Sequence, residues 1–283
     1  MPSLIDNLSD TARWVAIFRA EESERDDAIF HDRFARKLAG KRGEEIANAI
    51  EFSRKNSWSF VARTYLFDDY ITRCIWENYD MVINLAAGLD ARPYRMDIPQ
   101  NTHWIEVDMP GILQYKEDIL KDEKPVCHLE RIPLDLADQK VRLELFEQLG
   151  KIASRALVIC EGLLIYLTAG QVASLAADLS AQKSFKRWAF DLQSPGLLAL
   201  AQKEMGAKLD SEKQLFQFAP ENGELFFHDY GWKLIETHSK LKTAAMLNRL
   251  SGDILAFADY PEPEGPKGDF PWAGVCLMEN TNG

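Results

Sequence analysis

Basic residues are in the minority in this 283-residue chain: 33 Lys and Arg stand against 44 Asp and Glu, a formal net charge of -11. A field of that sign repels DNA, RNA and anionic membrane surfaces, so a nucleic-acid partner is set aside. Cysteine is scarce as well. Cys74, Cys127, Cys160 and Cys276 are widely scattered, with no CxxC pair and no finger-like spacing to a histidine, so no metal site is readable. They read as reduced, mostly buried small hydrophobes of a cytoplasmic protein. No stretch approaches eighteen uninterrupted apolar residues, and Met1-Pro2-Ser3-Leu4-Ile5-Asp6 has neither a basic nor an apolar leader region. The expectation is a chain neither exported nor membrane-spanning. Internal repeats and low-complexity tails are absent. His31, His103, His128, His228 and His238 are isolated in sequence, so none is singled out as a general base.

Apolar side chains make up 46% of the sequence, enough to bury a full-sized core in one elaborated domain or a domain with a cap. Two textures divide it. Residues 1 to about 75 are helical in pattern: Trp14, Ile17 and Phe18 fall at i, i+3 and i+4, and Ile46 and Ile50 recur before a segment from Trp58 to Tyr70. From residue 76 to 283, short apolar runs at 81–85, 103–108, 156–165, 187–192, 232–238 and 272–279 alternate with helical segments. That alternation predicts βαβ units and a mainly parallel sheet. Pro110 after Asp108-Met109 marks a helix start, and Thr168-Ala169-Gly170-Gln171 has the capping-box pattern. Three Pro and two Gly between Pro261 and Gly268 predict a surface loop leading to a last, antiparallel strand.

The most informative stretch is Met81-Val82-Ile83-Asn84-Leu85-Ala86-Ala87-Gly88-Leu89-Asp90, an apolar strand running into a small-residue turn. Twenty residues past Gly88, a second apolar run closes on Asp108. In a parallel sheet this spacing puts a tight loop under an adenosine-containing ligand and a carboxylate beside its ribose. A dinucleotide site asks for G-x-G-x-x-G, whereas Ala86-Ala87-Gly88-Leu89-Asp90-Ala91 keeps one glycine and adds an acid where a pyrophosphate would arrive. S-adenosylmethionine carries no phosphate, and its positive charges favour acids nearby. A third run, Ala156 to Leu167, delivers Glu161 at a strand's carboxyl end, where open α/β sheets bind ligands and where a buried acid needs a partner.

With these motifs in order, the chain resembles the leucine carboxyl methyltransferase family, particularly its bacterial S-adenosylmethionine-dependent branch that includes polyketide O-methyltransferases. The likeness covers nearly the whole chain. It is carried by Thr11-Ala12-Arg13-Trp14, Arg19-Ala20-Glu21-Glu22-Ser23-Glu24-Arg25, Asp27-Ala28-Ile29-Phe30, Ala62-Arg63-Thr64 with Phe67-Asp68-Asp69, Asn84 to Arg95, Glu106-Val107-Asp108, Asp135-Leu136 and Glu161 to Leu167. The resemblance implies an α/β fold: a Rossmann-like class I methyltransferase sheet, mainly parallel with its last strand antiparallel, under an N-terminal helical cap (1–75). An insertion at about 195–230 would complete the acceptor pocket.

By position, the resemblance implies that Arg63 binds the methionyl carboxylate and that the loop at Gly88 and Asp90 passes under the methionine moiety. Asp108 would hold the ribose, Asp135 and Leu136 would flank the adenine, and Glu161 would help hold the amino group. Arg63 and Tyr166 would orient the acceptor. The expected activity is methyl transfer to a carboxylate or hydroxyl of a small molecule, with the carboxylate ranked first because it needs no base. Phe216, Phe218, Phe226 and Phe227 suggest an apolar acceptor, although core packing accounts for them equally well. Two departures stand out: Ala86 replaces the first glycine of the family's turn, and Asp32-Arg33 stands where the family has Asp-Pro.

Read singly, the residues keep plainer alternatives. Asp108 would cap the following helix, Glu161 would pair with Arg155 or Arg187, Arg63 would bridge cap to core, and Tyr166 would be core. Asp68-Asp69 and the charges from Glu21 to Asp27 would be solvated helix faces. Two other functions stay open: a non-catalytic relative that binds S-adenosylmethionine or S-adenosylhomocysteine, and an NAD-dependent oxidoreductase.

Overall fold

The computed structural model describes residues 8–50, 54–206 and 216–283, so parts of the expected cap and of the 195–230 insertion lie outside the described residues. Its seven strands are β1 (Met81–Leu85), β2 (His103–Asp108), β3 (His128–Pro133), β4 (Ala156–Cys160), β5 (Phe185–Gln193), β6 (Trp232–Ser239) and β7 (Ala273–Asn280). They form one sheet in the order β3-β2-β1-β4-β5-β7-β6. β1 to β5 are parallel, and β7 runs antiparallel to both neighbours, as expected of the last strand. β3 was not foreseen. It is an edge strand whose sequence, His128-Leu129-Glu130-Arg131-Ile132-Pro133, is half polar and offers no apolar run. β4 stops at Cys160, five residues short of the apolar run, because Gly162 turns the chain with φ +70°.

The helices are α1 (Leu8–Ser23), α2 (Ala35–Ala49), α3 (Ser57–Trp76), α4 (Arg92–Arg95), α5 (Pro110–Leu120), α6 (Gln139–Ile152), α7 (Ala169–Ser180), α8 (Pro195–Gly206), α9 (Lys240–Met246) and α10 (Asp253–Phe257). Thr168 and Gln171 close the capping box at the start of α7. Successive strand residues point to opposite faces, and the core divides accordingly. Met81, Ile83 and Leu85 pack with Phe146 of α6 and Val172 and Leu175 of α7. Val82 and Trp104 face the other way, against Phe67, Tyr70 and Ile71 of α3. Each such aliphatic side chain contributes about 1.5–3 kcal/mol by leaving water. A third cluster, with Trp14, Phe18 and Leu38 of α1 and α2, covers Leu89, Tyr94 and Ile112 beyond the strands' carboxyl ends. Thus α1 and α2 roof the loops, while α3 belongs to the layer against the sheet.

Candidate active site

The strand order reverses between β1 and β4, and ligands of open α/β sheets bind at the carboxyl ends beside such a reversal. β1 leaves its end through Ala86 (φ +55°) and Gly88 (φ +48°), both left-handed. A Cβ on Gly88 would stand 3.3 Å from that of Ala12 in α1, so the position suits glycine for space as well as conformation. Ala86 pays the left-handed penalty of an L residue, about 1–2 kcal/mol. The Ala86→Gly variant is therefore expected to be more stable by roughly 0.5–1 kcal/mol after the greater chain entropy of glycine is deducted. Thermal unfolding would register this as a rise of roughly 2 °C, and a fall would contradict the strain argument.

Asp108, at the end of β2, accepts from the Gly88 amide at 2.6 Å on Oδ2 and from the Met109 amide at 2.7 Å on Oδ1. It does not cap α5, whose N-cap is Met109. Burial raises its pKa above the ordinary carboxylate value, with the two amides opposing that rise. Each carboxylate oxygen accepts about two hydrogen bonds, so roughly one site per oxygen stays open.

An ion network ties the loop to its neighbours. Arg92, 2% exposed, donates from Nε to Asp68 (2.6 Å) and from Nη1 to both Asp90 and Glu161 (each 2.8 Å). Asn84 adds a bond to Asp90 at 2.9 Å. Burial opposes the Asp90 charge, but Arg92, Lys116 and Arg95 outweigh it and hold its carboxyl well below the usual range. Asp68 also takes two bonds from Arg95. Asp68 is therefore part of a buried cluster, which corrects the expectation of a solvated face. The same holds for Glu22, which is buried against Arg249, whereas Asp27 stays exposed.

Glu161 follows β4 and accepts from Arg63 Nε on Oε1 at 3.1 Å, with Arg92 on Oε2. Its partners are these two rather than Arg155 or Arg187, which sit beside Glu77. Arg63, on α3, also reaches Asp191 Oδ2 through Nη1 at 3.1 Å. Burial opposes its charge, yet Asp191 and Glu161 outweigh burial and raise its pKa. Nη2 makes no hydrogen bond with the protein among the described residues. Asp191, in β5, accepts further from the Gly162 amide (2.6 Å) and from Lys240 Nζ (3.0 Å). Despite burial, Lys240 and Arg63 hold its carboxyl well below the usual range.

A cavity of about 1540 Å³ opens over this edge, larger than the roughly 300–1,000 Å³ of a single small-ligand pocket. Arg63, Gly88, Asp90, Asp108, Glu161 and Tyr166 all line it; Asp135 and Leu136 do not. Asp135 instead accepts from the Ala137 amide in a turn beyond β3, just after Leu134 bonds the Asp108 carbonyl. Tyr166, in a 3₁₀ turn (Leu164–Tyr166), is hydrogen-bonded to Thr11, and burial raises its pKa. Its ring leans on Phe216. Of the four phenylalanines, Phe216 alone lines the cavity; Phe218, Phe226 and Phe227 pack together, with Phe227 against Trp188 and Phe190. None of the five histidines lines it.

Asp191, Lys240 and Arg92 were not anticipated. Arg92 lay inside the Asn84–Arg95 motif, and Asp191 ends an apolar strand as Asp108 and Glu161 do, so the same rule applies to it. Lys240 carries no local signal.

The chain has relatives in sequence and in fold. A Streptomyces coelicolor protein provisionally named an S-adenosyl-L-methionine-dependent methyltransferase is 34% identical over 200 residues, covering 66% of this chain and 70% of its own. A Frankia alni protein of the same provisional name is 28% identical over 277 residues, covering 92% and 91%. Among solved structures, a DUF574 family protein from Streptomyces avermitilis superposes with a TM-score of 0.58 at 12% identity, over 95% of this chain and 97% of that one. A Thermobifida fusca protein provisionally named a methyltransferase gives 0.54 at 14% identity, over 95% and 94%. At such identities the structures speak for the fold alone. The sequence model of leucine carboxyl methyltransferase matches residues 12–180, more than half of the sequence. The chain thus belongs to the leucine carboxyl methyltransferase family and is an S-adenosyl-L-methionine-dependent methyltransferase.

Proposed function

We propose that the protein methylates an oxygen of a small, apolar acceptor, a carboxylate in preference to a hydroxyl. The observation that carries this reading is one cavity joining the charged edge at Arg63, Asp108 and Glu161 to an apolar wall that includes Trp14, Phe60, Leu197, Phe216 and Trp272. Its volume leaves room for cofactor and acceptor together.

The residues suit the cofactor. The open acceptor site on each Asp108 oxygen matches the two donors of a ribose diol, and the free Nη2 of Arg63 is suited to a carboxylate. Glu161, bonded to Arg63 and holding one bond on each oxygen, has lone pairs to spare for an ammonium group. Gly88 leaves the backbone bare beneath the ligand. Asp135 and Leu136 are the proposed adenine flank, next to Asp108 in sheet order beyond β3. When bound, the cofactor supplies an electrophilic methyl group on its sulfonium. Arg63 and Tyr166 then fix the acceptor oxygen in line, and positioning of this kind is worth up to about 7–11 kcal/mol. The apolar wall excludes water from the attacking oxygen. A carboxylate needs no proton removed, which suits a cavity that no histidine lines. The α1 part of the roof, with Trp14 and Val15, and the residues of the 195–230 insertion, among them Leu197 and Phe216, would hold the acceptor's apolar part.

The test is transfer of label from methyl-labelled cofactor to a panel of aliphatic and aromatic acids, phenols and alcohols. Methyl esters of apolar acids are expected as the main products. Label appearing only on nitrogen or sulfur acceptors, or cofactor binding without any turnover, would overturn the reading.

A further inference from the structure

The polar residues along the cavity floor follow the order of the sheet. Asp108 ends β2, Gly88 follows β1, Glu161 follows β4, Asp191 lies in β5, and Lys240 follows β6 beyond β7. The first three are the proposed cofactor side. Lys240 stands at the opposite end of this row and meets Arg63 through the Asp191 Oδ2 that both of them bond.

Lys240 differs from the arginines around the cavity. Arg19, Arg54, Arg63, Arg92 and Arg249 each hold at least two partners within the protein. Lys240 is 7% exposed and bonds one group, Asp191, at 3.0 Å. An ammonium has three N–H donors, so two remain. A buried cation with unused donors stays costly until an acceptor reaches it. Asp191 is itself anchored, its Oδ1 by the Gly162 amide and its Oδ2 by Arg63 and Lys240 together. Its role is to hold the ammonium in place at the cavity edge.

We infer that Lys240 is the specificity-determining cation for the acceptor: its free N–H groups hold a carboxylate oxygen of the molecule to be methylated. The inference rests on the methyl-transfer reading above and adds the acceptor's charge to it. One carboxylate oxygen bonds Lys240 while the other faces the methyl group; the C–S bond breaks as the C–O bond forms, the neutral thioether leaves with the electron pair, and no proton is transferred. As the ester forms, the acceptor loses its charge and with it the attraction to Lys240, which favours release.

The experiment measures equilibrium binding of phenylacetate, octanoate and neutral 4-ethylphenol to the protein saturated with S-adenosylhomocysteine, for the wild type, Lys240→Met and Lys240→Arg. Lys240→Met leaves Asp191 bonded to Arg63 and the Gly162 amide but removes one cation from the cluster, so thermal unfolding of each variant is recorded beside binding. The expected result is at least tenfold weaker binding of a carboxylate in Lys240→Met, partial recovery in Lys240→Arg, and no change for 4-ethylphenol. Affinity for S-adenosylhomocysteine should stay within twofold in all three, which also reports an intact fold. Carboxylates that do not bind the wild type, or bind Lys240→Met equally well, overturn the inference. So does a loss of S-adenosylhomocysteine affinity in Lys240→Met, which would move the residue to the cofactor side. None of these readouts depends on turnover, so a wrong reaction and a wrong anchor are told apart.

Discussion

Arg92→Met is expected to lower stability by about 3–5 kcal/mol, the usual cost of removing one partner from a buried ion cluster. Arg92 is 2% exposed and is the common partner of Asp68, Asp90 and Glu161. Those carboxylates come from α3, the β1 loop and the end of β4, so the variant uncouples three segments at once. Arg95, Asn84 and Arg63 remain for them, one side chain apiece, with the amide of residue 92 still on Asp90, and the charge balance fails by one. Arg92→Lys keeps the charge but not the planar fork, and should recover only part of the loss. Acid sensitivity gives a second readout. Asp90 and Asp68 are held below the ordinary carboxylate value in the fold, so their contribution is full above that value and fades as the pH falls through their folded-state values. Urea unfolding of the wild type should therefore weaken on acidification, and Arg92→Met should show a shallower slope from a lower start. Equal stability with an unchanged slope would mean that the cluster is incidental.

The largest effect on ligand binding is expected at Asp108. Two hydrogen bonds from a diol to a buried carboxylate are worth at least about 2 kcal/mol together, so Asp108→Ala should weaken S-adenosylhomocysteine binding roughly thirtyfold or more. The variant also frees the Gly88 amide, which adds to the loss. A pH dependence follows from the raised pKa of this group. Diol donors favour the charged form, so affinity should fall as the pH drops through the raised value, and binding there should release protons. Asp108→Asn should bind weakly with a flat profile. Calorimetry in buffers of different ionisation enthalpy measures both quantities. Wild-type affinity in Asp108→Ala would remove this residue from the cofactor site.

Much of this was legible because the informative residues sit at strand ends. β1, β2 and the capping box of α7 could be placed from local pattern, since each combines an apolar run or a hydrogen-bonding cap with a fixed period. β3 escaped because an edge strand needs no apolar run. Partnerships were less accessible. Sequence proximity offers Glu161 Arg155 or Arg187, close in sequence or on a neighbouring strand, while its partners arrive from α3 and α4. Asp90 looked like a repelling charge for a pyrophosphate, but Arg92, two residues on, neutralises it. The missing glycines were the sounder argument against a dinucleotide. Lys240 could not be found at all without knowing that β7 sets β6 two places from β5.

That placement of β7 also orders the assembly of the molecule. β1 pairs with both β2 and β4, so Gly88, Asp108 and Glu161 can be brought together once residue 161 has been made. β5 and β6 have no contact in the sheet until residues 273–280 slide between them. During synthesis the edge that carries Gly88, Asp108, Glu161 and, through the β4–β5 pairing, Asp191 can form first, while Lys240 awaits the closing strand. Such a long-range insertion is slow to form relative to local contacts. A ligand that binds only this early edge stabilises it by mass action before β6 and β7 close the sheet.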